Sequence, residues 1–178
     1  LEECLKEANS DYLIISSDTL KTEAVQAFLK TPDLFLSEKK LKQTIACGAD
    51  FNIPDVETRL DGVDPKTGHI KYRKETNLAV QQVSGRDKLK ILLEAGARPN
   101  DTATGGTTLL HHLAIWGDET EIQLALAYKA DLYIRNAKGE LPLHIAARSI
   151  LPGKLKILLP LYDLKKAGIT LPELIARA

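Results

Sequence analysis

Apolar residues recur along most of the chain at the spacing of one helix face. Three stripes show this most clearly, at Leu89/Leu92/Leu93, Ile122/Ala125/Leu126 and Leu155/Leu158/Leu159. Because an α-helix turns once in about 3.6 residues, positions i, i+3 and i+4 lie on the same side of it. A shorter apolar segment precedes each stripe and predicts a further helix, beginning near Thr76, Thr108 or Leu141. The pattern predicts successive pairs of helices, a first and a second, joined by polar turns.

These helix pairs repeat with a fixed period. The numbers of His111 and His144 differ by 33 (144 − 111), and so do those of Gly106 and Gly139. The three apolar stripes step by the same number (122 − 89 and 155 − 122). Such a constant period is typical of repeat proteins, in which one unit cannot bury its own apolar face and neighbouring units bury it jointly.

The second unit departs slightly from this period when Leu78 is matched to Leu110. The step from Leu78 to Leu89 is 11, whereas the step from Leu110 to Ile122 is 12, so this unit is expected to be one residue short. The unit boundaries that follow are 75–98 for the second unit, 99–131 for the third and 132–165 for the fourth.

The sequence resembles the ankyrin repeat family. The segments that carry the resemblance are GTTLLHHLA (106–114), GELPLHIAA (139–147), LLEAGARPN (92–100) and CGADFN (47–52). The resemblance implies an all-α ankyrin-repeat solenoid of about four units over residues 18–178, with a partial terminal repeat at 168–178. Residues 1–17 are predicted to form an N-terminal helical extension. The resemblance also implies that His111 and His144 are structural and tie each first helix to the backbone of the adjacent finger, the turn that links two units.

A long insertion separates the first and second units, at about residues 55–74. Its centre, DPKTG (64–68), predicts a type I turn with a left-handed glycine, and the flanking segments predict two paired strands. We therefore expect one long β-hairpin. Its first arm is acidic and its second basic: Glu57, Asp61 and Asp64, then Lys71, Arg73 and Lys74. The hairpin is either a solvated, self-paired element or a recognition finger, since extended loops of repeat proteins often lie on the binding face.

Composition and charge exclude several functions. The 178 residues carry 24 Lys and Arg against 24 Asp and Glu, so no net charge attracts nucleic acid or an anionic membrane. No apolar run approaches the ~18 residues that a transmembrane helix needs. Cys4 and Cys47 lack C-x-x-C spacing, which argues against a disulfide scaffold or zinc ribbon and favours a reducing, cytoplasmic location.

The two adjacent histidines do not predict chemistry. Neighbouring helical residues point about 100° apart, so His111 and His112 are poorly placed to share a metal ion. No catalytic or nucleotide-binding motif such as H-E-x-x-H or G-x-S-x-G occurs. We therefore expect no catalytic, cofactor or metal site in this segment.

The variable surface positions of ankyrin repeats, together with the hairpin, predict where a partner binds. The predicted contacts are Tyr72, Arg73, Glu75, Thr104, Thr107, Ile115, Trp116, Arg135, Lys138, Glu140 and Arg148. Trp116 is the only tryptophan in the chain, and tryptophan is enriched at binding hot spots. The alternative is that Trp116 packs beneath a neighbouring finger.

The function expected from the resemblance is protein–protein interaction. The partner is another protein or peptide, and the basic contacts at the far end favour an acidic one; the module is expected to be a monomer that binds neither nucleic acid nor membrane. Two alternatives stay open. The segment is a substrate-recruiting part of a larger enzyme, as the non-Met start and unfinished last repeat suggest, or part of a bacterial effector in the host cytoplasm.

Overall fold

The computed structural model describes residues 38–46, 50–63, 65–67, 69–149, 152–170 and 172. The predicted extension over 1–17, the first helix of the first unit and residues 173–178 lie outside the described residues. Eight α-helices are described: α1 (Glu38–Ala46), α2 (Ala79–Gln82), α3 (Arg86–Glu94), α4 (Leu109–Trp116), α5 (Glu119–Ala127), α6 (Pro142–Arg148), α7 (Pro152–Leu158) and α8 (Leu164–Ala167). Two short 3-10 helices cover Thr104–Gly106 and Leu159–Leu161. Strands β1 (Asp55–Val63) and β2 (Ile70–Asn77) form a hairpin between α1 and α2.

The helices form two rows. The first helices α2, α4 and α6 contact one another in sequence order, and the second helices α1, α3, α5 and α7 do the same. Each first helix also contacts the second helix that follows it. The core between the rows contains the positions that the apolar pattern predicts, including Leu89, Leu110, Ile122, Leu143 and Leu158, all fully buried.

The turn between α4 and α5 shows how local sequence defines a helix pair. Asp118 caps α5 by accepting from the backbone N–H of Glu121 at 2.8 Å. In return, the Glu121 carboxylate accepts from the N–H of Asp118 at 2.9 Å, which completes a capping box. The bond from the Glu121 N–H holds the pKa of Asp118 below its usual value. A side chain at Gly117 would collide with Leu113, because an added Cβ would lie 2.9 Å from the Leu113 Cα. The sequence Gly-Asp therefore permits the tight reversal.

Asparagine side chains join successive turns. Asn100 accepts from the N–H of Asp131 at 2.7 Å and donates to the Lys129 carbonyl at 3.1 Å. Asn52 makes the same two bonds one unit earlier, to the N–H of Arg98 and the carbonyl of Gly96. The repeated Asn of GADFN and GARPN therefore fixes one turn on the next.

The second unit is shorter than its sequence pattern predicts. Helix α2 begins at Ala79 rather than near Thr76, because Thr76 and Asn77 belong to β2. Helix α2 covers four residues, whereas α4 covers eight. Gln81 occupies the place of His111, since its amide donates to the Thr107 carbonyl as His111 contacts the Glu140 carbonyl. Gln81 and Thr107 are 26 residues apart, whereas His111 and Glu140 are 29 residues apart. The second unit is therefore three residues short, not one, and the match of Leu78 to Leu110 is wrong.

The insertion is a hairpin, and its second strand ends at Asn77, three residues beyond the predicted boundary at 74. The two strands are antiparallel, with Asp55 opposite Asn77 and Leu60 opposite Tyr72. A bulge between Leu60 and Gly62 shifts the register, and Gly62 has φ 121°, a conformation that other residues rarely adopt. Two residues of the predicted turn, Asp64 and Gly68, lie outside the described residues.

Candidate binding surface

Buried side chains of the first helices hold the fingers in place. His111 is fully buried, and its Nδ1 accepts from the Thr108 N–H at 3.2 Å. Its Nε2 lies 3.0 Å from the Glu140 carbonyl oxygen, so Nε2 carries the proton and donates it. Burial lowers the pKa of His111 and keeps the ring neutral. His144 is also buried, and its Nδ1 accepts from the Leu141 N–H at 3.0 Å. Both histidines are therefore buried and bonded to backbone, and His111 reaches the adjacent finger.

Trp116 projects into solvent at the end of α4. Its side chain is 76% exposed, and that of the preceding Ile115 is 46% exposed. The alternative that Trp116 packs beneath a neighbouring finger is therefore wrong. Two adjacent large apolar side chains form an exposed pair at a helix terminus, and we call this pair the α4 tip.

A buried lysine donates hydrogen bonds to backbone carbonyls at the end of α4. Lys154, on α7, is almost fully buried, and its Nζ donates to the carbonyls of Ala114 at 3.2 Å and Ile115 at 2.8 Å. A cation at a helix C-terminus satisfies carbonyls that lack an intrahelical partner. Burial lowers the pKa of Lys154, while Glu121 and Asp118 favour its charged form. These bonds therefore hold the last turn of α4, which carries Trp116, against the next unit.

Several other predicted contacts stabilise the fingers. Glu140 is mostly buried and accepts from Asn136 and Arg148, and these bonds lower its pKa to about 2. Arg135 donates to the carbonyls of Gly139 and Ala167, both at 2.6 Å. Glu140 thus offers little accessible surface, and Arg135 uses its guanidinium within the fold. Arg148 is half-exposed beside Glu140.

The finger before α4 carries two more predicted contacts. The Thr104 hydroxyl bonds to the backbone N–H and carbonyl of Thr76, so it joins this finger to the base of the hairpin. Thr107 is half-buried, and its hydroxyl donates to the Thr104 carbonyl at 3.1 Å. Lys138 is exposed on the next finger, before α6.

The hairpin has one apolar and one charged face. Alternate residues of a strand point to opposite faces, so the register brings four exposed apolar side chains together: Val56, Leu60, Ile70 and Tyr72. We call them the apolar hairpin face. On the opposite face Glu75 pairs with Arg59 at 2.9 Å and with Arg73 at 2.7 Å. Tyr72 and Arg73 thus point to opposite sides, and Glu75 is held by two arginines.

A family model of ankyrin repeats in three copies matches residues 77–171, more than half of the chain. The chain belongs to the ankyrin repeat family. No curated protein matches it significantly. Ankyrin repeats are in general protein–protein interaction modules, which directs attention to exposed side chains rather than to a reaction centre.

Among the residues that the structure describes, no three His, Cys, Asp or Glu side chains lie close enough to hold a metal ion. None of the described helices is long and apolar enough to cross a membrane. An open cleft of about 420 Å³ lies between the hairpin base and the finger before α4, lined by residues that include Asn52, Thr76, Arg98 and Asn100.

Sequence reasoning missed three features of this ankyrin protein. The apolar hairpin face was missed although apolar and polar residues alternate in VETRL (56–60) and IKYR (70–73), which is the signal of a strand with two unlike faces. Lys154 was missed because its position in the repeat holds Glu121 one unit earlier (154 − 121 = 33). Gln81 was missed because the second unit is three residues short, which moves Gln81 away from the position that the 33-residue period matches to His111.

Proposed function

We propose that this segment is a protein-binding module, an ankyrin solenoid of about four units in which α1 belongs to the first unit. The partner contacts the α4 tip, together with Tyr72, Lys138 and Arg148 along the same series of fingers and first helices. Exposure of the only tryptophan, on a helix end held by Lys154, is the observation that carries the proposal. The segment acts as a monomer in a cytoplasm and is not itself an enzyme.

Two arguments support the α4 tip as the anchor. Tryptophan contributes a large area to an interface and is enriched at hot spots. Burial of the exposed Trp116 and Ile115 side chains by a partner would contribute about 25 cal/mol of binding free energy per Å² of apolar surface. Bracing by Lys154 lowers the conformational entropy lost when the partner binds. Exposed Lys138 and half-exposed Arg148 favour an acidic partner segment.

Photo-crosslinking in cells tests the proposal against every protein that reaches the α4 tip. A photoreactive phenylalanine analogue at Ile115 should capture a specific protein. The matched control carries the analogue at Gln123, an exposed position on the second helix α5. Capture at Ile115 should fall when Trp116 is replaced by Ala. Equal capture at both positions, or capture at Ile115 that is unchanged by Trp116→Ala, would refute the α4 tip as the anchor.

A purified partner allows a quantitative test. Because Trp116 is the only tryptophan, its fluorescence reports burial of the α4 tip directly. We expect a blue shift and reduced acrylamide quenching on binding. Trp116→Ala should raise the Kd about thirtyfold or more, the loss that is typical of a hot-spot residue. The thermal midpoint should stay nearly unchanged, because the side chain makes little contact with the core.

A further inference from the structure

Within the part of the chain that the structure describes, the outer edge of β2 has backbone groups without a backbone partner. The N–H and carbonyl of Thr76 both bond to the Thr104 hydroxyl, so they point away from β1. Backbone groups alternate in direction along an antiparallel strand. Ile70, Tyr72 and Lys74 therefore also direct their N–H and carbonyl groups away from β1. The finger that carries Thr104 reaches β2 at Thr76, and no described backbone group bonds to the outer groups of these three residues.

The outer edge of β1 is less suited to pairing. Its register shifts at the bulge between Leu60 and Gly62, and a bulge interrupts the regular spacing that an added strand needs. The residues of β2 run from Ile70 to Asn77 without such an insertion. A strand added to this hairpin finds a regular ladder only along β2.

Side chains along β2 define the chemistry of the occupant. Ile70 and Tyr72 lie on the apolar hairpin face, more than half exposed. Lys71 and Arg73 lie on the opposite face, where Arg73 also pairs with Glu75 and Asp61, and Lys74 lies on the same face as Tyr72. A neighbouring strand would place apolar residues next to Ile70 and Tyr72 and its alternate residues next to Lys71 and Arg73. Charge complementarity makes those alternate residues acidic.

We propose that an extended acidic segment, in which apolar and acidic residues alternate, binds as a third strand along the outer edge of β2 from Ile70 to Lys74. The inference rests on the proposed function, since it names the chemistry and binding mode of a partner. Main-chain hydrogen bonds supply affinity in such strand addition, and alternate side chains supply specificity.

A second copy of this chain fits the edge less well. Pairing β2 with β2 of another molecule would bring Lys71 and Arg73 of one copy beside Lys71 and Arg73 of the other. Like charges that face each other across two strands are destabilising. An acidic segment meets the same edge with opposite charge.

Amide hydrogen exchange measured by NMR tests the proposal on the full chain. The probe is a short capped peptide of alternating valine and glutamate, and its matched control has lysine in place of glutamate. The first peptide should slow exchange at the amides of Ile70, Tyr72 and Lys74 by tenfold or more. The amides of Lys71 and Arg73, which face β1, should not change. The lysine peptide should bind at least tenfold more weakly.

Substitutions distinguish the contribution of the β2 backbone to peptide binding from that of its side chains. Tyr72→Pro removes an outward N–H that β1 does not use, so peptide affinity should fall about fivefold or more. Tyr72→Thr keeps the N–H and is the control for loss of the ring. Lys71→Glu reverses one charge on the face where the peptide's glutamates lie, without changing the backbone. It should lower affinity for the glutamate peptide, so it serves if Tyr72→Pro disturbs the hairpin.

Four results would overturn the inference: equal binding of the two peptides, protection on β1 instead of β2, unchanged affinity for Lys71→Glu, or protection that grows with protein concentration without peptide. The last would mean self-association. Trp116→Ala should leave the peptide-induced protection unchanged. Loss of Trp116-dependent crosslinking with retained edge protection would therefore refute the proposed function alone, and the reverse would refute the edge site alone.

Discussion

At the scale of single residues, buried polar side chains reach from one repeat unit to the next. Gln81 and His111 differ in chemistry, yet each donates to the backbone carbonyl of the following finger, Thr107 or Glu140. A buried carbonyl without a partner costs about 1–3 kcal/mol, so the donor matters more than the ring or amide that carries it. The repeated element is therefore a hydrogen bond rather than a residue type.

This equivalence predicts how His111 responds to substitution. His111→Gln should change the free energy of unfolding by only about 1 kcal/mol near neutral pH. A glutamine at this third helical position can accept from the Thr108 N–H and donate to the Glu140 carbonyl. His111→Ala leaves both groups unpaired and a cavity, and should cost about 3 kcal/mol. Urea denaturation measures both values, and equal losses would contradict the equivalence.

Burial of His111 also predicts a pH dependence. Its folded-state pKa is lowered, so the unfolded chain binds a proton more readily than the folded one. Stability contributed by the neutral ring is therefore complete above the unfolded value of about 6.5 and declines as the pH falls below it. The difference in unfolding midpoint between His111→Gln and the unmodified chain should shift in favour of glutamine from pH 7 to pH 5. A constant difference would show that the ring does not titrate on unfolding.

The Glu140–Arg148 pair acts at lower pH. The folded-state pKa of Glu140 is about 2 against an ordinary 4.5, so its contribution is present above pH 4.5 and is lost as the pH falls toward 2. Arg148→Met should destabilise the chain at neutral pH by on the order of 1 kcal/mol, since solvent screens the half-exposed guanidinium. Near pH 2 the two proteins should converge. Lys156→Met, at an exposed position on α7, is the control and should show no such convergence.

At the scale of elements, the hairpin and the helices contribute differently. The helices bury their apolar stripes between two rows, whereas the hairpin keeps Val56, Leu60, Ile70 and Tyr72 exposed. Exposed apolar residues on a two-stranded element contribute little to the core, and isolated hairpins are only marginally stable in water. Contact at its base, through Thr76 and Thr104, joins the hairpin to the repeat units.

Shortening the hairpin therefore should not unfold the protein. Replacing residues 56–74 by a short polar turn, with Glu75 and Thr76 retained, should change the free energy of unfolding by about 1 kcal/mol or less, because loop length has a weak effect on stability. The circular dichroism spectrum should stay helical, and binding of the valine–glutamate peptide should disappear. Cooperative unfolding lost on shortening would show that the hairpin is part of the core.

At the scale of the whole molecule, each described helix pair contacts its neighbours. Helix α4 contacts α2 on one side and α6 on the other, and α5 lies between α3 and α7 in the same way. Stability of such a stack is approximately a sum of unit terms and nearest-neighbour interface terms. Damage to a central unit therefore weakens two interfaces at once.

A central core substitution tests this dependence. Leu110 on α4 is fully buried. Leu110→Ala should therefore cost about 2–5 kcal/mol. Hydrogen exchange should accelerate in α2 and α6 as well as in α4. Leu161→Ala, at a half-exposed position, should leave exchange in these helices unchanged. Faster exchange confined to α4 would contradict coupling between units.

The repeat and the helix faces follow from the sequence alone. They depend on short-range periodicity, and the constant period aligns equivalent positions without knowledge of any contact. The structural role of His111 and His144 was implied by the resemblance to ankyrin repeats. The hairpin was also predictable, because its turn residues and alternating strands are local signals.

The roles of individual side chains became visible only in the folded chain. Glu140 was predicted as a partner contact, but a carboxylate at that position is buried when Arg148 of the same unit folds over it. Lys154 reaches carbonyls about one unit away, 39 and 40 residues earlier, and Gln81 reaches a finger 26 residues later. The choice between a buried and an exposed Trp116 likewise depended on neighbouring units. Such roles arise from contacts between units, which periodicity along one chain does not encode.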